Sequence, residues 1–165
     1  MPLLQRLLPM SDSSSVLSET SLPVLSLGDR GEAVTQLRQL LAKCDRNFGV
    51  EGILVSDVFD IQLEAIVRVF QYQVFLFQDG TVGTKTWQAL QADTPIDMPV
   101  LKLGQHGKAV RQVQTRLKQY GDYADALDGI FNRRTEQAVI TFQVEKNILA
   151  EGVVNAVTWH QLSQD

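Results

Sequence analysis

The chain states one pattern twice. Leu25-Ser26-Leu27-Gly28-Asp29-Arg30-Gly31-Glu32-Ala33-Val34 returns as Leu101-Lys102-Leu103-Gly104-Gln105-His106-Gly107-Lys108-Ala109-Val110. Further on, Phe70-Gln71 returns as Phe142-Gln143, Asp79-Gly80-Thr81-Val82 as Glu151-Gly152-Val153-Val154, and Thr86-Trp87 as Thr158-Trp159. Self-similarity at a spacing of 72–76 residues in a chain of 165 requires two copies of one small module. The residues that return are glycines, apolar residues and turn formers, which build a fold. A repeat made mostly of such residues favours a double binding module over an enzyme.

The second copy reads most cleanly. Gly104-Gln105-His106-Gly107 is a turn, and Val110, Val113 and Leu117 then recur at helical spacing, so the pattern predicts a helix from Lys108 to about Gln119 with one buried stripe. Lys108, Arg111 and Lys118 lie off that stripe. Residues 121–129 form a loop, Asn132 is a good N-cap for a second helix that turns Ala138, Val139 and Phe142 inward, and Asn155 caps a short third helix bearing Trp159 and Leu162.

A finer repeat sits inside each copy. Asp128-Gly129-Ile130-Phe131-Asn132-x-x-Thr135 matches Glu151-Gly152-Val153-Val154-Asn155-x-x-Thr158 and Asp79-Gly80-Thr81-Val82-Gly83-x-x-Thr86. The acid–glycine pair makes a turn, because glycine tolerates positive φ. An apolar residue then anchors the loop, and Asn or Gly starts the next helix. A fourth copy, Ser56-Asp57-Val58-Phe59-Asp60-x-x-Leu63, has lost its glycine. The first module is four residues longer, since Gly28 to Trp87 spans 59 positions and Gly104 to Trp159 spans 55; the excess falls between Leu41 and Phe59. The expected organisation is all-α, with two tandem three-helix modules: a flexible N-terminal segment at 1–24, module 1 at 25–90, a linker at 91–100 containing Pro95 and Pro99, and module 2 at 101–165.

Charge separates the copies. Residues 25–90 hold six basic and eight acidic side chains, net −2, and residues 101–162 hold eight basic and six acidic, net +2, in a chain of −4 overall. Neither value suggests nucleic acid as a partner. The single cysteine, Cys44, excludes an intrachain disulfide and reads as a small buried apolar residue. No apolar run approaches the length of a transmembrane helix. Met1 to Met10 is leucine-rich but broken by Gln5 and Arg6, which argues against a secretory signal; Leu3, Leu4, Leu7 and Leu8 would share one helix face.

These motifs resemble the peptidoglycan-binding domain-like family, a small three-helix module often attached to bacterial cell-wall hydrolases. Its Leu-Gly-x-x-Gly-x-x-Val opening is present at Leu27–Val34 and Leu103–Val110. Its Asp-Gly-x-Phe-Gly-x-x-Thr centre is present at Asp128–Thr135 with Asn132 in place of glycine, followed by Ala138-Val139-x-x-Phe142-Gln143. Its Asp-Gly-x-Val-Gly-x-x-Thr-Trp-x-x-Leu ending is present at Asp79–Leu90 and, with two soft changes, at Glu151–Leu162. The resemblance implies non-catalytic binding of peptidoglycan or a wall-derived glycopeptide, with no cofactor. The competing expectation is a protein–protein adaptor on the same fold, in the cytoplasm or at a membrane face.

No catalytic set is visible. His106 and His160 are the only histidines, and no zinc spacing, His-Glu-x-x-His or Gly-x-Ser-x-Gly string occurs. Asp128 is a turn residue rather than half of a glycosidase pair with Asp125. The matrix-protease propeptides of this fold carry a metal-binding cysteine in Pro-Arg-Cys-Gly, which Ala42-Lys43-Cys44-Asp45 does not match. For ligand contact the candidates are Arg133 and Arg134 beside Asn132 and Asp128, because arginine grips a carboxylate with two bonds. Tyr120 and Tyr123 are added as sugar-stacking rings. Module 1 has Ile61 and Gln62 where module 2 has the arginines, so module 2 is the expected binder. Trp87, Trp159 and Phe142 are expected in the cores.

Overall fold

In the computed structural model, which describes residues 22–44 and 56–164, the chain is all-helical. The helices are α1 (Glu32–Lys43), α2 (Ile61–Gln73), α3 (Thr84–Ala92), α4 (Lys108–Tyr120), α5 (Arg133–Glu145) and α6 (Ala156–Leu162). Extended pairing among the described residues is confined to isolated antiparallel bridges, Leu25 with Val82, Arg30 with Val58, Leu101 with Val154 and His106 with Ile130. The two three-helix modules expected from the repeat are present. The Leu3–Leu8 segment and most of the four-residue excess of module 1 lie outside the described residues.

Helices of 7 to 13 residues are marginal alone, so each module depends on packing. Val34, Leu37 and Leu41 of α1 meet Phe59, Leu63, Val67, Phe70 and Trp87 in one core; Val110, Val113 and Leu117 of α4 meet Phe131, Val139, Phe142, Trp159 and Leu162 in the other. Both tryptophans are buried, at 3% and 1% exposure. A buried indole needs a partner for its N–H. Trp87 Nε1 donates to Pro23 O (2.8 Å) and Trp159 Nε1 to Pro99 O (2.7 Å). Pro23 and Pro99, expected in the N-terminal segment and the linker, are thereby bound into the modules. Cys44 is buried at the end of α1.

The Leu-Gly-x-x-Gly opening joins the parts of each module. In module 2, Gly104 N donates to Phe131 O (2.8 Å), Phe131 N to Gln105 O (2.8 Å) and Gly107 N to Gly129 O (2.8 Å), while Leu101 and Val154 exchange both backbone bonds. Module 1 repeats this with Gly28, Phe59, Asp29, Gly31 and Asp57. Gly107 starts α4 at φ 124°, and a Cβ on Gly129 (φ 73°) would stand 3.0 Å from Gly107 O. Glycine is required at both places by backbone conformation and by close approach.

The modules also touch each other. After α2 the chain turns through Phe75 at φ 62°, a left-handed position that module 2 gives to Asn147 (φ 54°). Asn suits this region and Phe does not; a misfit of this kind costs about 1–3 kcal/mol. The Phe75 ring packs on the module 2 core, edge-on to Trp159 at 4.9 Å. Beside it Arg116, buried at 5% exposure, lies 4.3 Å from the centre of the Tyr72 ring and donates from Nη2 to Tyr72 O (3.0 Å). Gln119 Nε2 donates to Tyr72 Oη (2.7 Å). In the connection, Ile96 packs on the first core and Met98 on the second. The spacer expected between the modules is therefore held at both ends.

Replacing Phe75 with Asn, the residue of the second copy, relieves the backbone and removes the wedge. Phe75→Asn is expected to leave both modules folded and to loosen their contact, which the Arg116–Tyr72 stack then holds without the wedge. Backbone relaxation should then show shorter rotational correlation times for each module, where the parent tumbles as one body.

Candidate ligand-binding site

The acid–glycine turns of the sequence are each held by a buried side-chain amide. In module 2, Gln114 of α4 is fully buried. Its Nε2 lies within hydrogen-bond distance of Asp128 Oδ1 (2.9 Å), Ile130 O (3.1 Å), Thr135 Oγ1 (3.2 Å) and Tyr123 Oη (3.2 Å), and its Oε1 accepts from Gly129 N (2.8 Å). Gln143 does the same for the next turn, donating to Val153 O and Thr158 Oγ1 and accepting from Gly152 N. Gln71 does so in module 1, with Asp79, Thr81, Thr86 and Gly80. In the fourth turn, which lacks the glycine, Arg38 takes the place of the glutamine and donates from Nη2 to Val58 O (2.7 Å) and Asp60 Oδ2 (2.8 Å). Gln71 and Gln143 were visible as the repeated Phe-Gln pair. Gln114 was missed, because a polar residue within a buried stripe carries no hydropathy signal.

At the start of α5 this turn borders a hollow of about 450 Å³, lined by Tyr123, Asp125, Asp128, Asn132, Arg133 and Arg134 among others. Five of the six candidate residues thus come together. Tyr120 does not line the hollow: it tilts against Phe142 at 4.9 Å, with the Lys146 ammonium 4.6 Å from its ring centre and its hydroxyl donating to Gln161 O (3.3 Å). Tyr123 lines the hollow but is 3% exposed, its hydroxyl donating to Ala126 O (3.0 Å). It belongs to the core and offers no free ring face, so sugar stacking on Tyr120 or Tyr123 gives way to loop packing.

The polar groups of the hollow are engaged with one another. Asn132 Oδ1 caps α5, accepting from Arg134 N (2.9 Å) and Thr135 N (3.0 Å). Arg134 pairs with Asp125 at 2.8 Å and Arg133 with Glu136 at 3.0 Å, both arginine side chains being more than three-quarters exposed. Exposed pairs of this kind contribute about 0–1 kcal/mol and exchange readily for another partner. The Asp128 carboxyl is held below the usual carboxylate range by the hydrogen bond from Gln114, by the Ile130 N–H and by the Arg111 charge. Asp125, read from sequence only as a partner to reject, is the counterion of Arg134.

Among the described residues no three His, Cys, Asp or Glu side chains converge on a possible metal position, and no helix is long and apolar enough to cross a membrane. His106 and His160 lie on different elements, one in the opening turn of module 2 and one in α6.

Residues 30–90 and 106–162 each match the family described as "Putative peptidoglycan binding domain". The chain belongs to this family, with two tandem copies. It is 32% identical over 149 residues to the N-acetylmuramoyl-L-alanine amidase CwlM of Mycobacterium tuberculosis; the alignment takes in 84% of this chain but only 37% of that protein's length. Among solved structures, the SleB N-terminal domain is 32% identical with a TM-score of 0.39, over 40% of this chain and 90% of that one. A peptidoglycan-binding protein from Clostridioides difficile, solved with glutamine hydroxamate, gives 32% identity and a TM-score of 0.39 over 40% of this chain and 41% of its own.

The Gln114 contacts predict a linked effect. Gln114→Met should destabilise module 2 by about 1–3 kcal/mol, the range for stranding buried polar groups. It should also return the Asp128 carboxyl toward its ordinary pKa in a carbon-detected NMR titration. The sign follows from the depressed folded-state pKa. The Asp128 contribution is present above the ordinary carboxylate range and is lost as pH falls through the depressed value. The variant should therefore lose less stability than the parent on acidification.

Proposed function

We propose that this chain is a non-catalytic binding protein for peptidoglycan, and that the hollow at the start of α5 is its contact with the wall. Membership of a peptidoglycan-binding family through both modules carries the reading. A relative's name points the same way: it is an N-acetylmuramoyl-L-alanine amidase. The part shared with the amidase is about a third of that enzyme, and here it consists of the binding repeat.

The hollow suits a polar, branched ligand. Arg133 and Arg134 present guanidinium donors whose present partners are weakly held, and Asp125 and Asp128 present acceptors for hydroxyl, amide or amine groups. Module 1 has Ile61 and Gln62 at the arginine positions, so its contribution to this contact is small.

One observation favours a protein partner as a second reading. The outer face of α2 exposes Ile61 (66%), Ala65 and Val69 (47%) one turn apart, where α5 has Arg133, Gln137 and Thr141. An apolar stripe on one copy and a polar one on the other gives module 1 a face for protein contact.

Sedimentation with purified cell-wall sacculi tests the main reading. The intact chain should pellet with sacculi and give no lytic band in a zymogram. Arg133→Ala/Arg134→Ala should bind about 10-fold more weakly, the loss of one or two charge-assisted hydrogen bonds. No pelleting of the intact chain would transfer the function to the α2 face.

A further inference from the structure

The contact between the modules encloses a second hollow, of about 290 Å³, with Tyr72, Phe75 and Leu76 of module 1 on one side and Lys108, Arg111 and Arg116 of module 2 on the other. Its wall is aromatic and aliphatic, and its rim is cationic. Arg116 is committed to the Tyr72 ring and carbonyl. Lys108 and Arg111 stand three residues apart at the start of α4, are exposed, and make no ion pair among the described residues. They differ in this from Arg133 and Arg134. At the same helical positions module 1 has Glu32 and Thr35.

The hollow is one of a series. It shares Lys108 and Arg111 with a hollow of about 260 Å³ against Gly107 and Gly129, which in turn shares Asp128 with the 450 Å³ hollow at the start of α5. On the other side it shares Leu76 with a hollow of about 320 Å³ at the start of α3. Charge is graded along the series. The inter-module end presents Lys108 and Arg111 without a direct ion pair, whereas at the α5 end Arg134 is paired with Asp125 and Arg133 with Glu136. An anion is attracted to the first and meets the carboxylates of Asp125 and Asp128 at the second; Asp128 stands between the two, within the field of Arg111.

We infer that the groove between the modules is the acid-recognising subsite of an extended ligand trough, in which Lys108 and Arg111 bind a free carboxylate against the Tyr72–Phe75 wall while the α5 hollow takes neutral or amine-bearing parts of the same ligand. This deepens the wall-binding reading and rests on it. Peptidoglycan stem peptides carry both kinds of group on one strand. The subsite is incomplete in either module alone, because its wall comes from one and its cations from the other.

The test uses the intact chain, native sacculi, and sacculi whose free carboxyl groups have been converted to methylamides with carbodiimide and methylamine. The parent should bind the amidated sacculi at least about 10-fold more weakly, as expected for a lost charge-assisted contact. Lys108→Glu/Arg111→Thr installs the residues that module 1 already bears at these positions, so α4 should fold. This variant should lose the same factor on native sacculi and show no further loss on amidated ones. Arg133→Ala/Arg134→Ala should weaken binding to both surfaces equally. If the parent pellets but ignores amidation, or the Lys108/Arg111 variant keeps the parent's preference for native over amidated sacculi, the subsite is wrong and wall binding stands. If the parent pellets with neither, wall binding fails and the subsite fails with it.

Discussion

Each module hangs on a buried amide gripping a turn. The helices are too short to persist alone, and the turns between them expose backbone N–H and C=O groups to an apolar interior. Gln71, Gln114 and Gln143 resolve this conflict in the same way, supplying an acceptor to the glycine N–H and donors to the carbonyl and threonine that follow. A buried polar group with all its partners orders its surroundings, and one that loses a partner is costly. The opening Gly-x-x-Gly segment then bonds to the turn so formed, and the tryptophan of the last helix bonds to a proline carbonyl five residues before that segment. Core, turns and opening segment therefore depend on one another, which explains why so many short, separated motifs return together.

What the sequence discloses follows from what repeats. Helix starts at Asn132 and Asn155, buried Trp87 and Trp159, and the acid–glycine turns were legible because each appears two or three times with its chemistry intact. Gln114 and Arg38 were not, because they serve equivalent turns from α4 and α1 with different side chains, leaving no repeated letter to notice. Phe75 was hidden for the opposite reason. The position does repeat, with Asn147, but its meaning lies in the mismatch: the copy that departs from the favourable residue does so to reach across to Trp159. At the candidate site, the gathering of Asn132, Arg133, Arg134 and Asp128 could be read from the motif, since they share one turn. Loss of Tyr120 and Tyr123 as stacking surfaces could not be, because ring burial depends on α4, Phe142 and the loop carbonyl of Ala126 together.

Duplication makes the differences between the copies informative. Two modules under the same folding constraint need the same glycines, glutamines and core residues. Where they differ on the surface, folding does not dictate the choice. Ile61, Ala65 and Val69 against Arg133, Gln137 and Thr141 give two helices of one design opposite outer faces. Glu32 and Thr35 against Lys108 and Arg111 do the same at the first helix, and together these exchanges give the second copy a net positive charge and leave the first net negative.

The contact between the modules then bears on how that charge is used. Two modules on a free tether would present independent patches, and any gain from having both would come only through effective concentration. The Phe75 wedge and the Arg116–Tyr72 stack instead fix the orientation of α4 relative to the end of α2. The cations of one copy are thereby set against the aromatic wall of the other before any ligand arrives. A ligand meeting a preformed groove does not have to order it, so less of the contact energy is lost on binding. The backbone misfit at Phe75 is consistent with this: a locally unfavourable residue persists where the packing it makes possible outweighs the strain. On this view the second copy supplies the charge and the first supplies the surface against which that charge is held.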